Sequence, residues 1–174
     1  MALDPDQVRE LIGDGGTSVL IWSTADGHPV GVSVAYVYED GVFWTTTPAG
    51  RKRVTALRAR PKSSVVVVKD GSSVTFKGTT RIHGPGDEGW ADLKTWLYSR
   101  LSGTAVDPDD AGARAMRALL DSPNRVILET RAEPMVSFDW GEVRRRSRRG
   151  GRRGRRRRVA CHRARIGATT WLIT

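Results

Sequence analysis

Seven short segments, apolar and mostly β-branched, constrain this chain more than any other feature: Ser18–Thr24, Val30–Tyr38, Val42–Thr47, Ser63–Lys69, Val74–Ile82, Arg125–Thr130 and Met135–Trp140. In the second, Val30, Val32, Val34, Tyr36 and Tyr38 alternate with smaller or polar neighbours, the period-2 pattern of a half-buried strand. Turn signals separate the early segments: Asp26-Gly27-His28-Pro29, Glu39-Asp40-Gly41 and Asp70-Gly71-Ser72-Ser73. Strands this short and evenly spaced predict an antiparallel barrel or sandwich in Greek-key style rather than a doubly wound α/β sheet. Neither a GxGxxG fingerprint nor a P-loop is present.

Helical spelling interrupts the strands at a few places. Asp4-Pro5 suits an N-cap and first helical position, Val8, Leu11 and Ile12 form a stripe, and Gly13 ends it. Arg51–Arg60 carries Val54 and Leu57 on one face and stops at Pro61. Asp87–Leu101 turns Trp90, Leu93, Trp96 and Leu97 inward, and Asp109–Leu120 does so with Ala113, Met116, Leu119 and Leu120. The fold class expected is mainly β (α+β): about seven antiparallel strands with a few flanking helices.

The net charge of +10 is misleading until it is divided by position. From Arg144 onward there are 13 arginines, no lysine and no acidic residue, leaving 16 basic against 19 acidic residues before it. The body, 1–143, is thus mildly acidic, and 144–174 is an arginine-rich tail expected to be disordered. A single cysteine, Cys161, excludes an intrachain disulfide and a cysteine metal cluster, so no metal site is expected. The acidic start lacks a signal-peptide layout and no long apolar run exists, so no membrane span and a cytoplasmic protein are the expectation.

The stretch that points to chemistry is Trp44-Thr45-Thr46-Thr47-Pro48-Ala49-Gly50-Arg51-Lys52-Arg53. Three hydroxyls leave a strand and three cations open a helix, where the macrodipole is already positive. An anion among them resolves the conflict, with backbone N–H groups, hydroxyls and cations converging on a phosphate. A solvated basic helix face is the competing reading. His28 in its turn, His83 at a strand end and Asp139 read as surface or strand-end polar residues, so no catalytic acid or base is assigned. Trp22, Trp44 and Trp140 read as core or interface residues.

Asp26-Gly27-His28-Pro29, Glu39–Thr46, Arg51–Pro61 and Val65–Val68, followed by Lys77–Ile82, Arg125–Leu128 and Val136–Trp140, resemble in order the pyridoxamine 5'-phosphate oxidase-like superfamily. Lys52 and Arg53 match its basic pair, and Leu57 and Pro61 keep its spacing. Arg53 for the usual lysine and Ala56 for a common asparagine are departures; arginine still binds phosphate, bidentately. The resemblance implies an FMN-binding split β-barrel, usually a homodimer, using a flavin or deazaflavin to oxidise or reduce a small molecule. It places Thr45, Thr46, Thr47, Arg51, Lys52 and Arg53 around the cofactor phosphate and Ser33, Val34 and Ala35 near its ring.

The superfamily's cofactors are FMN, the F-420 deazaflavin and heme. A composition rich in Arg, Gly, Ala and Val points to a GC-rich, actinobacterial type of genome and tips the balance to the deazaflavin over FMN. Oxidation of pyridoxamine phosphate itself is disfavoured, because the sequence shows no second basic cluster in the body. A non-catalytic cofactor- or heme-binding protein is the alternative. The tail, chiefly 144–158, either binds nucleic acid or another polyanion or is a neutral or misread extension.

Overall fold

The computed structural model describes residues 2–141. The expected boundary at 143 and the arginine-rich tail lie outside these residues. In chain order the elements are α1 (Pro5–Ile12), β1 (Gly15–Ser23), β2 (Pro29–Glu39), β3 (Val42–Pro48), α2 (Lys52–Ala59), β4 (Lys62–Lys69), β5 (Ser72–His83), α3 (Trp90–Ser102), α4 (Ala111–Leu120) and β6 (Arg125–Phe138). The six strands close a barrel in the order β1-β2-β3-β6-β5-β4, every pair antiparallel.

Local chemistry accounts for the turns. Asp40-Gly41 and Asp70-Gly71 each form a two-residue hairpin loop, with φ of 49° and 80° in the first and 52° and 83° in the second. Both central residues therefore have the positive φ that a type I′ turn requires, which Asp-Gly supplies cheaply. At α1 the Asp4 carboxylate accepts from the Gln7 N–H at 2.9 Å, and the Gln7 side chain accepts from the Asp4 N–H at 2.9 Å, a reciprocal cap. The Tyr36 hydroxyl donates to the Ile12 carbonyl at 2.7 Å and ties the far end of that helix to the barrel.

The barrel is filled by inward residues: Leu20, Tyr36, Phe43, Val65, Val67, Val74, Phe76, Val126 and Leu128. Phe43 sits at their centre, its ring 4.9 Å from Phe76 and 5.2 Å from Tyr36. Val54 and Leu57 from α2 join the same core. A second cluster lies outside the barrel wall: Leu97, Tyr98 and Leu120 of the α3–α4 pair cover Val37 and Ile127. Ile127 faces that layer while its neighbours Val126 and Leu128 face the barrel core, so β6 is buried on both sides there. Trp22 packs against the barrel core and Trp44 against the outer cluster, both partly buried.

Two expectations are corrected. The predicted strands Arg125–Thr130 and Met135–Trp140 are one strand, Arg125–Phe138, so there are six strands rather than about seven. The polar run Arg131–Pro134 reads as a break in sequence but is simply more exposed. Pro134 is accommodated because the register with β5 shifts between Thr75 and Phe76, at a bulge that needs no ladder donor there. In α4, Ala113 and Leu120 are buried, whereas Met116 and Leu119, expected inward, are 45% and 65% exposed.

Candidate functional site

The barrel wall has a seam. Strands β2 and β3 pair only through Val37↔Trp44, Tyr38↔Phe43 and Glu39↔Val42, and then part. From Ala35 back to Pro29, β2 has a ladder partner on its β1 side alone. Beyond Trp44, β3 pairs only with β6. One side-chain bond crosses the opening: the buried Thr45 hydroxyl donates to the Ala35 carbonyl at 2.7 Å.

The three threonines of β3 brace this end of the wall. Thr46 lies outward, donating to the Val126 carbonyl at 3.0 Å and lying 3.3 Å from the Tyr98 hydroxyl of α3. Thr47, buried, accepts two bonds from Arg53, at 2.9 Å from Nε and 2.6 Å from Nη2. The hydroxyls expected to meet a ligand are thus engaged within the protein, and they hold Ala35, β6 and Arg53 in place.

Cations gather beside them. Arg51 is the N-cap of α2, which has no side-chain cap and no acidic residue in its first turn. Arg53 is half-buried; burial first, and then the neighbouring guanidiniums of Arg51 and Arg125, push its pKa below the ordinary arginine value. Arg125 reaches this group because Pro48 pairs with Arg125 across β3 and β6, and the Ala49 N–H donates to the Asn124 carbonyl at 2.7 Å. The sequence shows Arg125 as a strand start and as part of the family resemblance, but not its pairing with the end of β3, which is a long-range register. Among the described residues, no carboxylate forms an ion pair with Arg51, Lys52, Arg53 or Arg125.

Of the ring-side residues, Ala35 is bonded to Thr45, and Val34 packs into the core. Ser33 and Ala35 are exposed on β2, opposite Val19 and Thr17 of β1. His28 is exposed in its turn, 3.8 Å from Asp26. His83 is not a plain surface residue: its Nε2 lies 2.7 Å from Glu129, and both side chains are only 14% exposed. Asp139 is buried at the end of β6.

A second basic grouping that the sequence hid also forms. Lys62 pairs with Thr79 and Thr79 with Arg131, while Ser64 pairs with Lys77 and Lys77 with Glu133, so three separated cations and one carboxylate line a cleft of about 690 Å³ with Trp22 and Pro29. Among the described residues, no group of three or more His, Cys, Asp or Glu residues could hold a metal ion, and no helix is long and apolar enough to cross a membrane.

Residues 5–135 match the family model described as pyridoxamine 5'-phosphate oxidase. This chain belongs to that family. Three solved structures are similar to this family member. A heme storage protein from Vibrio cholerae shares 15% identity, with 79% of this chain and 96% of that one covered and a TM-score of 0.59. A FAD-binding protein from Mesorhizobium loti shares 21%, covering 79% and 94%, at a TM-score of 0.58. An F-420 reductase shares 17%, covering 75% and 94%, at 0.51. At these identities the likeness establishes the split-barrel fold alone. No curated protein matches this pyridoxamine 5'-phosphate oxidase family chain.

Proposed function

We propose that this chain is a flavin- or deazaflavin-dependent oxidoreductase that holds its cofactor's phosphate at Arg51, Lys52 and Arg53. One observation carries the reading: three consecutive cations open α2 with no carboxylate within ion-pair range among the described residues. Like charges gathered at the positive end of a helix are unfavourable unless an anion joins them. The residues present therefore fit a phosphate-bearing group. Thr47 fixes the Arg53 fork by two bonds to one oxygen, and Thr45 fixes the β2 edge at Ala35, where Ser33, Val34 and Ala35 would lie against the ring. When bound, the cofactor supplies hydride transfer to or from a small molecule. The protein's own part is to bind, orient and shield it.

The deazaflavin is favoured over FMN by the multiple anionic groups it carries, matched to this run of cations. The working unit is a homodimer, with exposed apolar residues such as Met116, Leu119, Met135 and Val136 available for burial. Titration with FMN, the F-420 deazaflavin and heme in parallel tests the reading. The triple substitution Arg51→Ala, Lys52→Ala, Arg53→Ala should weaken binding by several kcal/mol, at about 1.5–3 kcal/mol for each charge-assisted bond. Unchanged affinity in that variant removes the site. A second reading rests on the 13 arginines from Arg144 onward: a heme-binding or non-catalytic barrel whose tail holds nucleic acid. Preferential heme binding, with salt-sensitive retention of RNA, would favour it.

A further inference from the structure

We infer that Arg125 is a further phosphate-binding residue of this site, supplied by β6 rather than by the loop. The inference rests on the reading of Arg51–Arg53 as the cofactor's phosphate site. Arg125 stands in register with Pro48, one residue beyond the Val126 that pairs with Thr47. The Ala49-to-Asn124 backbone bond at 2.7 Å fixes the two chain segments against each other immediately beside it.

Among the described residues its guanidinium is held by one bond, from Nε to the Thr46 hydroxyl at 3.4 Å, a long contact that orients without neutralising. Both terminal nitrogens are without a hydrogen-bond or ion-pair partner among the described residues. Thr46 is itself fixed by the Val126 carbonyl and sits against the buried Tyr98. A planar cation so placed beside Arg53, with no carboxylate in ion-pair range among the described residues, is arranged to donate bidentately to a phosphate. Across the site the loop offers Arg51, Lys52 and Arg53 from one side, and β6 offers Arg125 from another.

The test uses the full chain and two ligand pairs, each phosphorylated and phosphate-free: FMN against riboflavin, and the F-420 deazaflavin against its dephosphorylated form. Arg125→Ala should weaken the phosphorylated member of whichever pair binds by about 10- to 100-fold while leaving its phosphate-free partner unchanged, and Arg125→Lys should restore part of the loss. Thermal melting of both variants checks that the barrel persists. Equal weakening of both members, or no change in either, overturns the inference. Where Arg53→Ala discriminates between the members and Arg125→Ala does not, the cofactor reading stands and the role of Arg125 falls. Failure of the unsubstituted chain to bind any of the four removes the reading beneath it as well.

Discussion

At the scale of single residues, the cations at the start of α2 depend on hydroxyls that are themselves bonded within the protein. Thr47 holds the Arg53 guanidinium by accepting from two of its nitrogens. Thr47→Val, nearly isosteric, should therefore cost about 1–3 kcal/mol in urea denaturation and weaken FMN or deazaflavin binding. A stable variant with full affinity would show that Arg53 orients itself. The sequence displayed the cations because charge runs are local; the partners of the threonines were hidden because they depend on cross-strand register. Glu129 was hidden for the same reason. Burial alone would raise its pKa, but hydrogen bonds from His83 and Arg131 outweigh that and hold it below the ordinary 4.5. A carboxylate depressed on folding stabilises above its unfolded value, and that stability drains away as pH falls through the folded one. Acidification below about 4.5 should thus destabilise the protein, with a shallower pH slope in Glu129→Gln. Parallel slopes in the two proteins would mean that other groups govern the acid transition.

Among elements, the strands were legible where apolar residues alternate and Asp-Gly closes a turn, as from β2 to β5. Legibility failed at β6, whose middle, Arg131-Ala132-Glu133-Pro134, is exposed except at Ala132 yet fully within the strand. Sequence pattern reports burial, and a strand partly bathed in water carries little of it. The neighbouring Gly78 shows how tightly that strand is held. A Cβ at this position would overlap the Arg131 carbonyl oxygen and press on Ala132. Gly78→Ala should cost at least about 1–3 kcal/mol through strand displacement, visible as a lowered urea midpoint. Tyr36 offers a gentler probe of the junction between α1 and the barrel. Burial raises its pKa to about 12, so its stabilisation is intact below the ordinary 10.0 and is lost as pH climbs through the folded value. Tyr36→Phe should remove that alkaline loss and strip the Ile12 carbonyl of its donor, and an unaltered alkaline profile would count against the assignment.

For the whole molecule, the family and split-barrel architecture were readable from an ordered series of weak motifs, because each motif marks a turn or boundary that the topology needs. The helical layer was readable as helices but not as packing: the charged and apolar faces of α4 compete, and Met116 and Leu119 lose to Ala113 and Leu120. Removal of 144–174 should leave the melting transition and cofactor affinity intact while abolishing retention on immobilised heparin. Loss of folding in that shortened chain would make the tail part of the domain.

The order of the strands also dictates when a growing chain can finish folding. Strand β6 lies between β3 and β5, and among the described residues no other strand pairs with the edge that each turns towards it. Until residues 125–138 have emerged from the ribosome, the nascent sheet has two bare edges, one of them carrying Thr45–Thr47. During that interval it is open to pairing with other chains. A message truncated shortly before codon 125 should yield insoluble product, and one ending just beyond 141 a soluble barrel. The same late strand delivers Arg125, so the gathering of Arg125 beside Arg51 and Arg53 and the sealing of the sheet are completed by a single event of synthesis.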